Sequence, residues 1–519
     1  MTRASRSVRV LKLLVVQSAA VLLLTGCQDA SHANWAEERT SRALDLARDN
    51  PLTLRAFLVG MPKGADLHYH LEGGVYAESW IRAGAGDHLC VNVATLSFLK
   101  RRMANCGSGE VPAEKANQDQ HLYDALVDAF SMRGFVPTPG VTGHDHFFDS
   151  FGKFEAADRP HTGEWMDEVA ERAAAQNEQY LELLVTPDFS HTAQIAHQLG
   201  WHANQSLDEF RSQLLARGLR EDIGVARAYL DQGESVRRQI EHCGDPNPAP
   251  ACALKTRYIY QVLRAFPPEQ VFAQTLLGFE AASADSRFVA INYVQPEDDQ
   301  TAMSEYALHM KMLAYLHGLY PTVHITLHAG ELSFGMVPPD GLCCHVRMAI
   351  EVAHAERIGH GVDVMYEDRP YDLLKEMAAK RVMVEINLTS NDVILGVKGY
   401  DHPFPIYRRY GVPVALSTDD EGVSRIDLTH EFIRAIQTYG LNYADLKKLV
   451  RTSIEHSFLP GASLWQDPDR FRRAVPACAS DTLGGAEPSS ACSAFLQSAE
   501  KAQQEWELER RFAQFEAKQ

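Results

Sequence analysis

The sequence has fewer basic residues than acidic residues. After its first 26 residues it also lacks any apolar run long enough to cross a bilayer. Lys and Arg number 50 against 68 Asp and Glu, which gives 519 residues a formal net charge of −18. This charge excludes a nucleic-acid backbone as the main partner and excludes docking on anionic lipid by charge alone. The missing apolar runs exclude membrane-spanning helices in the rest of the chain.

Internal repeats at solenoid spacing are also lacking, which excludes a stacked-repeat architecture. Hydrophobic residues make up 45% of the chain, and charged residues make up 23%. This composition and length are enough for a large buried core. They predict one big α/β domain with insertions or two modest domains.

The N-terminal 26 residues have the pattern of a targeting segment. A basic start is followed by an apolar stretch, Leu13–Leu24, that is too short to span a bilayer comfortably and ends in Thr25-Gly26-Cys27. This ending resembles a bacterial lipobox, which implies lipidation of Cys27 after removal of residues 1–26. We therefore expect a protein of the cell envelope, periplasmic or at the outer membrane, that is anchored by lipid and does not span the bilayer. An ordinary cleaved signal peptide is the alternative.

Eight of the nine cysteines remain once Cys27 is set aside. An even number in a secreted chain predicts disulfides. The candidate pairs are Cys90 with Cys106, Cys243 with Cys252, and Cys478 with Cys492. The adjacent Cys343 and Cys344 are either free or joined to each other.

Short apolar runs alternate with helix-like segments between about residues 66 and 458. The runs are Asp66–Leu71, Tyr180–Thr186, Tyr258–Leu263, Phe288–Val294, His324–His328, Arg357–His360, Met383–Asn387 and Val414–Ser417. Eight strands buried on both faces, with helices between them, predict a (β/α)₈ TIM barrel with insertions and a C-terminal helical extension. A doubly wound open sheet is the alternative, but no glycine-rich phosphate turn follows the first strand.

These patterns also predict the division of the chain. Residues 27–55 form a linker and an N-terminal helix, residues 56–460 form the barrel, and residues 461–519 form the C-terminal helical extension. Two insertions, Gly84–Asp119 and Asp231–Leu254, interrupt the alternation, and each contains one of the cysteine pairs.

Four short motifs follow four of the predicted strands. They are His68-Tyr69-His70, His328-Ala329-Gly330-Glu331, Gly359-His360-Gly361 and Ser417-Thr418-Asp419-Asp420. Residues two apart on a strand point the same way, so both histidines of the first motif can reach one ion. The carboxyl ends of barrel strands share one face, where catalysis is expected. Taken singly, each motif also fits a structural histidine, a helix cap or a solvated turn.

The combined pattern resembles the adenosine deaminase family, including its secreted growth-factor-like branch, from Met61 to about Asp427. Further matches lie at Phe148–Phe154, Glu182, Arg264 and Glu385–Asn391. The resemblance implies a zinc-dependent deaminase that converts adenosine or 2′-deoxyadenosine to the inosine product and ammonia. It implies one zinc ion bound by His68, His70, His328 and Asp419. The remaining implied roles are protonation of purine N1 by Glu331, orientation or deprotonation of the attacking water by His360, and contact with N7 and the attacking hydroxide by Asp420.

Two positions bear on the substrate. Gln295, followed by Pro296, stands where the family usually has a glycine whose N–H meets adenine N3, so base recognition uses Gln295 differently or the substrate differs. Glu72 stands where the family has an acid near the ribose 5′-hydroxyl, which implies a nucleoside because a carboxylate repels a 5′-phosphate. The preferred nucleoside and the oligomeric state are left open by the sequence.

Two other functions fit parts of the pattern. The first is another single-zinc amidohydrolase that acts on a different amino-substituted ring. Two-metal relatives need a carboxylated lysine at the end of the fourth strand, where this chain has Val294, Gln295 and Pro296. The second is a lipoprotein that binds nucleosides without turnover.

Overall fold

The computed structural model describes residues 35–102, 106–202 and 204–519. The predicted targeting segment and Cys27 lie outside the described residues. Among the helices that are described, none combines the length and apolar character needed to cross a membrane.

Eleven strands form two sheets within the described residues. Their bounds are β1 Gly64–His70, β2 Leu89–Asn92, β3 Ser97–Arg102, β4 Glu110–Pro112, β5 Glu178–Val185, β6 Lys255–Leu263, β7 Phe288–Val294, β8 His324–Ala329, β9 Arg357–His360, β10 Met383–Ile386 and β11 Val414–Leu416. The larger sheet has the order β1-β5-β6-β7-β8-β9-β10-β11 and is parallel throughout. All eight predicted strands are therefore confirmed.

The barrel closes beside two of the predicted site residues. Tyr69 forms a parallel bridge with Asp419. The Asp419 N–H donates to the His68 carbonyl at 2.9 Å, and the His70 N–H donates to the Asp419 carbonyl at 3.1 Å. Every residue of β5 and β7 is buried, as expected for strands covered on both faces.

Helices surround the barrel. Their bounds are α1 35–47, α2 Pro51–Gly60, α3 Leu71–Gly74, α4 Ala77–Gly86, α5 Gln120–Ala129, α6 Gly143–Phe154, α7 Thr162–Ala175, α8 Ser190–Leu199, α9 Leu207–Ala216, α10 Asp222–Ile240, α11 Pro268–Ala284, α12 Gln300–Leu319, α13 His345–Glu351, α14 Pro370–Lys380, α15 Leu388–Leu395, α16 Phe404–Tyr410, α17 Glu421–Ser424, α18 Leu428–Tyr439, α19 Tyr443–Glu455, α20 Ser490–Ser498 and α21 Glu500–Lys518.

The C-terminal extension packs on the barrel through its last helix, α21. Arg451 of α19 pairs with Glu509 at 2.7 Å, and Lys447 pairs with Glu516 at 2.8 Å. The ring of Phe515 meets that of Phe57 edge-on, with 5.2 Å between centroids. The mixed face of charged and aromatic side chains on α21 thus covers α19.

The first predicted insertion folds as a small antiparallel sheet of order β3-β2-β4. The second differs in part from its prediction, because α10 continues to Ile240 and only residues 241–254 are irregular. Arg237 explains the longer helix, since its buried guanidinium reaches Glu241 at 2.6 Å and the Thr256 hydroxyl at 3.0 Å.

Four disulfides are present within the described residues. The three predicted pairs are joined, with Cα atoms 5.7 Å apart for Cys90 and Cys106, 5.5 Å for Cys243 and Cys252, and 4.6 Å for Cys478 and Cys492. Of the two states left open for Cys343 and Cys344, the structure shows the vicinal bond.

Candidate active site

Four of the predicted site residues form one cluster at the carboxyl end of the barrel. His68 and His70 end β1, His328 lies in β8, and Asp419 follows β11. The Nε2 atom of His328 lies 3.1 Å from that of His68 and 3.2 Å from that of His70. Asp419 Oδ1 lies 3.3 and 3.2 Å from the Nε2 atoms of His68 and His70. One ion could therefore contact all four side chains.

Hydrogen bonds on the outer side of each imidazole fix its tautomer. The Nδ1 atom of His68 lies 2.6 Å from a carboxylate oxygen of Glu385. The Nδ1 atom of His70 lies 2.5 Å from the side-chain oxygen of Gln261, and that of His328 lies 2.7 Å from the side-chain oxygen of Asn292. Each Nδ1 therefore carries the proton. Each Nε2 lone pair then faces the cluster, as in metal-binding histidines.

These donors fit a metal ion. One nitrogen from each of the three imidazoles and one carboxylate oxygen lie within 4.8 Å of one another. Uncompensated lone pairs at this range repel, and a divalent cation removes the repulsion. A set of three imidazoles and a carboxylate suits zinc, whose catalytic sites keep one position open for water or substrate.

Glu331 follows β8 and is held by a second buried acid, Glu297. The Glu297 carboxylate accepts hydrogen bonds from the N–H groups of Gly330 at 3.0 Å and Glu331 at 2.7 Å. It also contacts His345 Nδ1 at 2.6 Å. Burial tends to raise the pKa of Glu297, but the hydrogen bond and charge of His345 outweigh burial and lower that pKa to about 2. An ionised Glu297 therefore fixes the backbone that carries Glu331.

The Glu331 carboxyl has the properties of a proton donor. It is 6% exposed, and burial, assisted by the charge of Asp419, raises its pKa well above the ordinary value. Its Oε1 atom lies 3.4 Å from His360 Nδ1. A carboxyl that keeps its proton near neutral pH is suited to general acid catalysis.

A directed chain of hydrogen bonds sets the tautomer of His360. The Phe404 N–H donates to His402 Nδ1 at 3.1 Å, so His402 Nε2 carries the proton that it donates to Asn391 Oδ1 at 3.0 Å. The Asn391 amide then donates to His360 Nδ1 at 2.9 Å. His360 Nε2 therefore carries a proton, lies 3.8 Å from Asp419 Oδ2 and has no hydrogen-bond partner within the described residues.

Burial lowers the pKa of both His360 and His402 to about 3, so both imidazoles are neutral. A neutral His360 with its proton on Nε2 donates a hydrogen bond toward the cluster. Of the two roles left open by the sequence, orientation of the attacking oxygen thus fits the structure better than removal of its proton.

Asp420 and Glu72 line the pocket beside the cluster. Asp420 packs so closely on Gly73 that a Cβ at position 73 would overlap its carboxyl group. Burial raises the pKa of Asp420 to about 7. Glu72 is hydrogen-bonded to Asp158, and burial raises the pKa of Glu72 as well. These contacts place two acids within the pocket on the β1 side of the opening.

Gln295 has a φ of 83°, in the left-handed region that favours glycine. Its side-chain oxygen accepts the N–H of Ala265 at 2.9 Å, and its carbonyl accepts Arg264 Nε at 2.9 Å. These two contacts hold Gln295 in that conformation although it carries a side chain. His360 and Asp419 also have positive φ, at 71° and 64°, and such strain in residues with side chains concentrates at functional sites.

The pocket over the cluster has a volume of about 290 Å³. The apolar part of its wall is formed by Phe147, Phe148, Phe151 and Ile394. The polar groups of the wall belong to Glu331, Asp419 and Gln295. An apolar cleft with a few convergent polar groups is typical of a small-molecule site.

Several contributing residues were not singled out from the sequence. They are Asn292, Gln261, Glu297, His345, His402 and Asp158. Asn292 and Gln261 lie in predicted strands, and Glu297 lies two residues after Gln295. Their place in the sequence therefore indicates only weakly that these three residues are near the site. His345, His402 and Asp158 reach the site from separate loops or helix ends, and no local pattern marks them.

Comparison with known proteins agrees with this geometry. The sequence profile described as adenosine deaminase matches residues 165–464. An adenosine deaminase of Clostridium perfringens strain 13 is 40% identical over 135 residues, which cover 26% of this chain and 37% of that protein. One from Vibrio atlanticus is 27% identical over 216 residues, which cover 40% of this chain and 56% of that protein. The matches thus span only part of these relatives' lengths.

The fold also matches a solved structure, the apo N6-methyl-AMP deaminase of Arabidopsis thaliana. The TM-score is 0.52 at 20% identity, over 78% of this chain and 94% of that one. At this identity the likeness supports the barrel alone. The family profile covers more than half of the chain, and we conclude that the chain belongs to the adenosine deaminase family.

Proposed function

We propose that the protein is a zinc-dependent hydrolase that deaminates a purine nucleoside, adenosine or 2′-deoxyadenosine. The observation that carries the proposal is the position of Glu331, a buried carboxyl held by Glu297 beside the four metal donors in a pocket of about 290 Å³. Water and the nucleoside would give ammonia and the corresponding inosine. The C6–N bond breaks, and a C6–O bond forms.

Each residue of the site has a separate role in the proposed reaction. Glu331 gives its proton to purine N1, because attack at C6 places electron density on the ring. His360 donates its Nε2 proton in a hydrogen bond to the attacking oxygen and so orients it. Asp420 contacts that oxygen and purine N7. His68, His70, His328 and Asp419 would hold the zinc ion, which when bound would lower the pKa of water and make it a stronger nucleophile.

A nucleoside suits the pocket better than a nucleotide. Glu72, which is hydrogen-bonded to Asp158, places a carboxyl group at the β1 side of the pocket, where the resemblance puts the ribose 5′-hydroxyl. A hydroxyl can donate to a carboxylate, whereas a phosphate dianion there would be repelled. Gln295, whose side-chain oxygen is used by Ala265, leaves its amide NH₂ for the base.

We also propose that the protein acts in the cell envelope, held by a lipid on Cys27. The support is the sequence pattern that ends in Thr25-Gly26-Cys27, together with the four disulfides of the structure, because disulfides persist in oxidising compartments.

The reaction is tested by the product formed in ¹⁸O-labelled water. Mass spectrometry of adenosine incubated with the purified protein should show inosine with one solvent-derived oxygen, and 2′-deoxyadenosine should give the matching product. Loss of adenosine to a product without solvent oxygen would contradict hydrolysis at C6. Unchanged adenosine with a folded, zinc-loaded protein would contradict the proposed substrate.

A further inference from the structure

A second chamber adjoins the catalytic pocket. It has a volume of about 600 Å³, roughly twice the 290 Å³ of the pocket over the metal donors. The two cavities share four wall residues: Glu72, Phe151, Thr186 and Leu263. The chamber therefore borders the pocket along these four side chains.

The reacting end of a substrate would lie away from this chamber. His328, Glu331 and Asp419 line the catalytic pocket but are absent from the chamber wall. Glu72, which the resemblance places near the ribose 5′-hydroxyl, belongs to the shared wall, so a nucleoside bound in the proposed way has its 5′ position beside the chamber. The chamber is therefore the space next to a substituent that extends the ribose end.

The chamber is suited to an uncharged, partly apolar group. Leu89, Phe154 and Phe189 contribute to its wall along with the shared Phe151 and Leu263. Its two cations are already paired, Lys100 with Glu155 at 2.9 Å and Arg159 with Asp188 at 3.0 Å. The acids Glu72 and Asp158 also belong to the wall. Apolar surface, cations that already have carboxylate partners, and carboxyl groups together disfavour a phosphate.

We propose that the site accepts purine nucleosides extended at the 5′ position by an uncharged thioalkyl or alkyl group, which the chamber holds. The inference rests on the proposed deaminase function and specifies its substrate class. The first predicted insertion supplies part of the wall through Leu89 and Lys100, so that insertion would have a direct role in specificity.

Gly152 offers a way to fill the chamber without touching the catalytic pocket. It lies in α6, lines the chamber but not the pocket, and a Cβ at this position would meet no atom within 4 Å. Leucine is also a better helix former than glycine, so Gly152→Leu should fold. Gly224 of α10 is the matched control, because it is a helical glycine with equally open surroundings and lines neither cavity.

The experiment compares kcat/KM for adenosine, 5′-methylthioadenosine and adenosine 5′-monophosphate with the full chain. We expect 5′-methylthioadenosine to be used within about 10-fold of adenosine or better. The monophosphate should be used about 100-fold less well or worse, because the wall offers a phosphate only carboxyl groups and cations that are already paired. Gly152→Leu should lower the ratio of kcat/KM for 5′-methylthioadenosine to kcat/KM for adenosine by about 10-fold or more, because the leucine side chain would clash with the 5′ substituent. Gly224→Leu should leave the ratio unchanged.

A methylthioadenosine value more than about 10-fold below that of adenosine would overturn the inference while the deaminase proposal stands. An unchanged ratio in Gly152→Leu would overturn it as well. If the protein deaminates none of these compounds, the deaminase proposal fails separately, and calorimetric Kd values for adenosine and 5′-methylthioadenosine in the same variants decide the inference. Absence of binding by both compounds would also overturn it.

Discussion

Replacing Glu331 by glutamine is expected to lower kcat for nucleoside deamination by about 10²- to 10⁴-fold, the usual contribution of a general acid. Glutamine keeps the size of the side chain and can still donate a hydrogen bond to purine N1, but it cannot transfer a proton. The backbone at this position would stay fixed, because the Glu297 carboxylate binds the N–H groups of Gly330 and Glu331 and not the Glu331 side chain. Steady-state kinetics and calorimetry should therefore show lost turnover with retained nucleoside binding.

Glu505→Gln is the matched control for this variant. Glu505 is another buried carboxyl whose pKa is raised well above the ordinary value by burial, but it lies in α21 and accepts the N–H of Leu464 at 2.6 Å. Its substitution should leave kcat unchanged. A Glu331→Gln variant as active as the wild type would show that the proton for N1 comes from another group.

Replacing His328 by alanine is expected to remove the metal and, with it, activity. Three nitrogen donors and one carboxylate meet in the cluster, and His328 Nε2 lies within 3.2 Å of both other imidazoles. Metal content by plasma mass spectrometry after dialysis should fall from one zinc per chain to near zero. A His328→Ala protein that retains stoichiometric zinc would contradict the assigned ligand set.

Asn292 provides a graded version of the same test. Its side-chain oxygen accepts from His328 Nδ1 at 2.7 Å and so directs the Nε2 lone pair toward the cluster. Asn292→Leu should weaken zinc affinity by about 10- to 100-fold, as expected for loss of an outer hydrogen bond to a metal ligand. Asn292→Asp keeps an acceptor oxygen and should bind zinc more tightly than Asn292→Leu.

The barrel was predictable from the sequence because each of its strands is a short apolar run between helical segments. The cluster was predictable for a related reason. His68, His70, His328 and Asp419 all stand at strand ends, and the carboxyl ends of barrel strands share one face. Strand alternation alone placed His68 and His70 on the same side.

The supporting contacts were not predictable, because they depend on how distant segments meet. The His345–Glu297 pair is 48 residues apart in the chain, and the His70–Gln261 pair is 191 residues apart. The direction of the His402–Asn391–His360 chain depends on one backbone N–H, that of Phe404. The chamber beside Glu72 is formed where an insertion, two helices and strand ends pack together. The hydrophobic pattern of the sequence does not indicate such a packing.

Ammonia release from adenosine and 2′-deoxyadenosine tests the proposed metal centre and reaction most directly. It is measured in three samples of the purified protein: as isolated, stripped by a chelator, and reloaded with zinc. We predict release by the isolated protein, loss of release after chelation, and recovery after zinc is returned. Release that is unaffected by complete removal of metal would contradict the metal centre. No release from either nucleoside by a folded protein with zinc bound would contradict the proposed deamination.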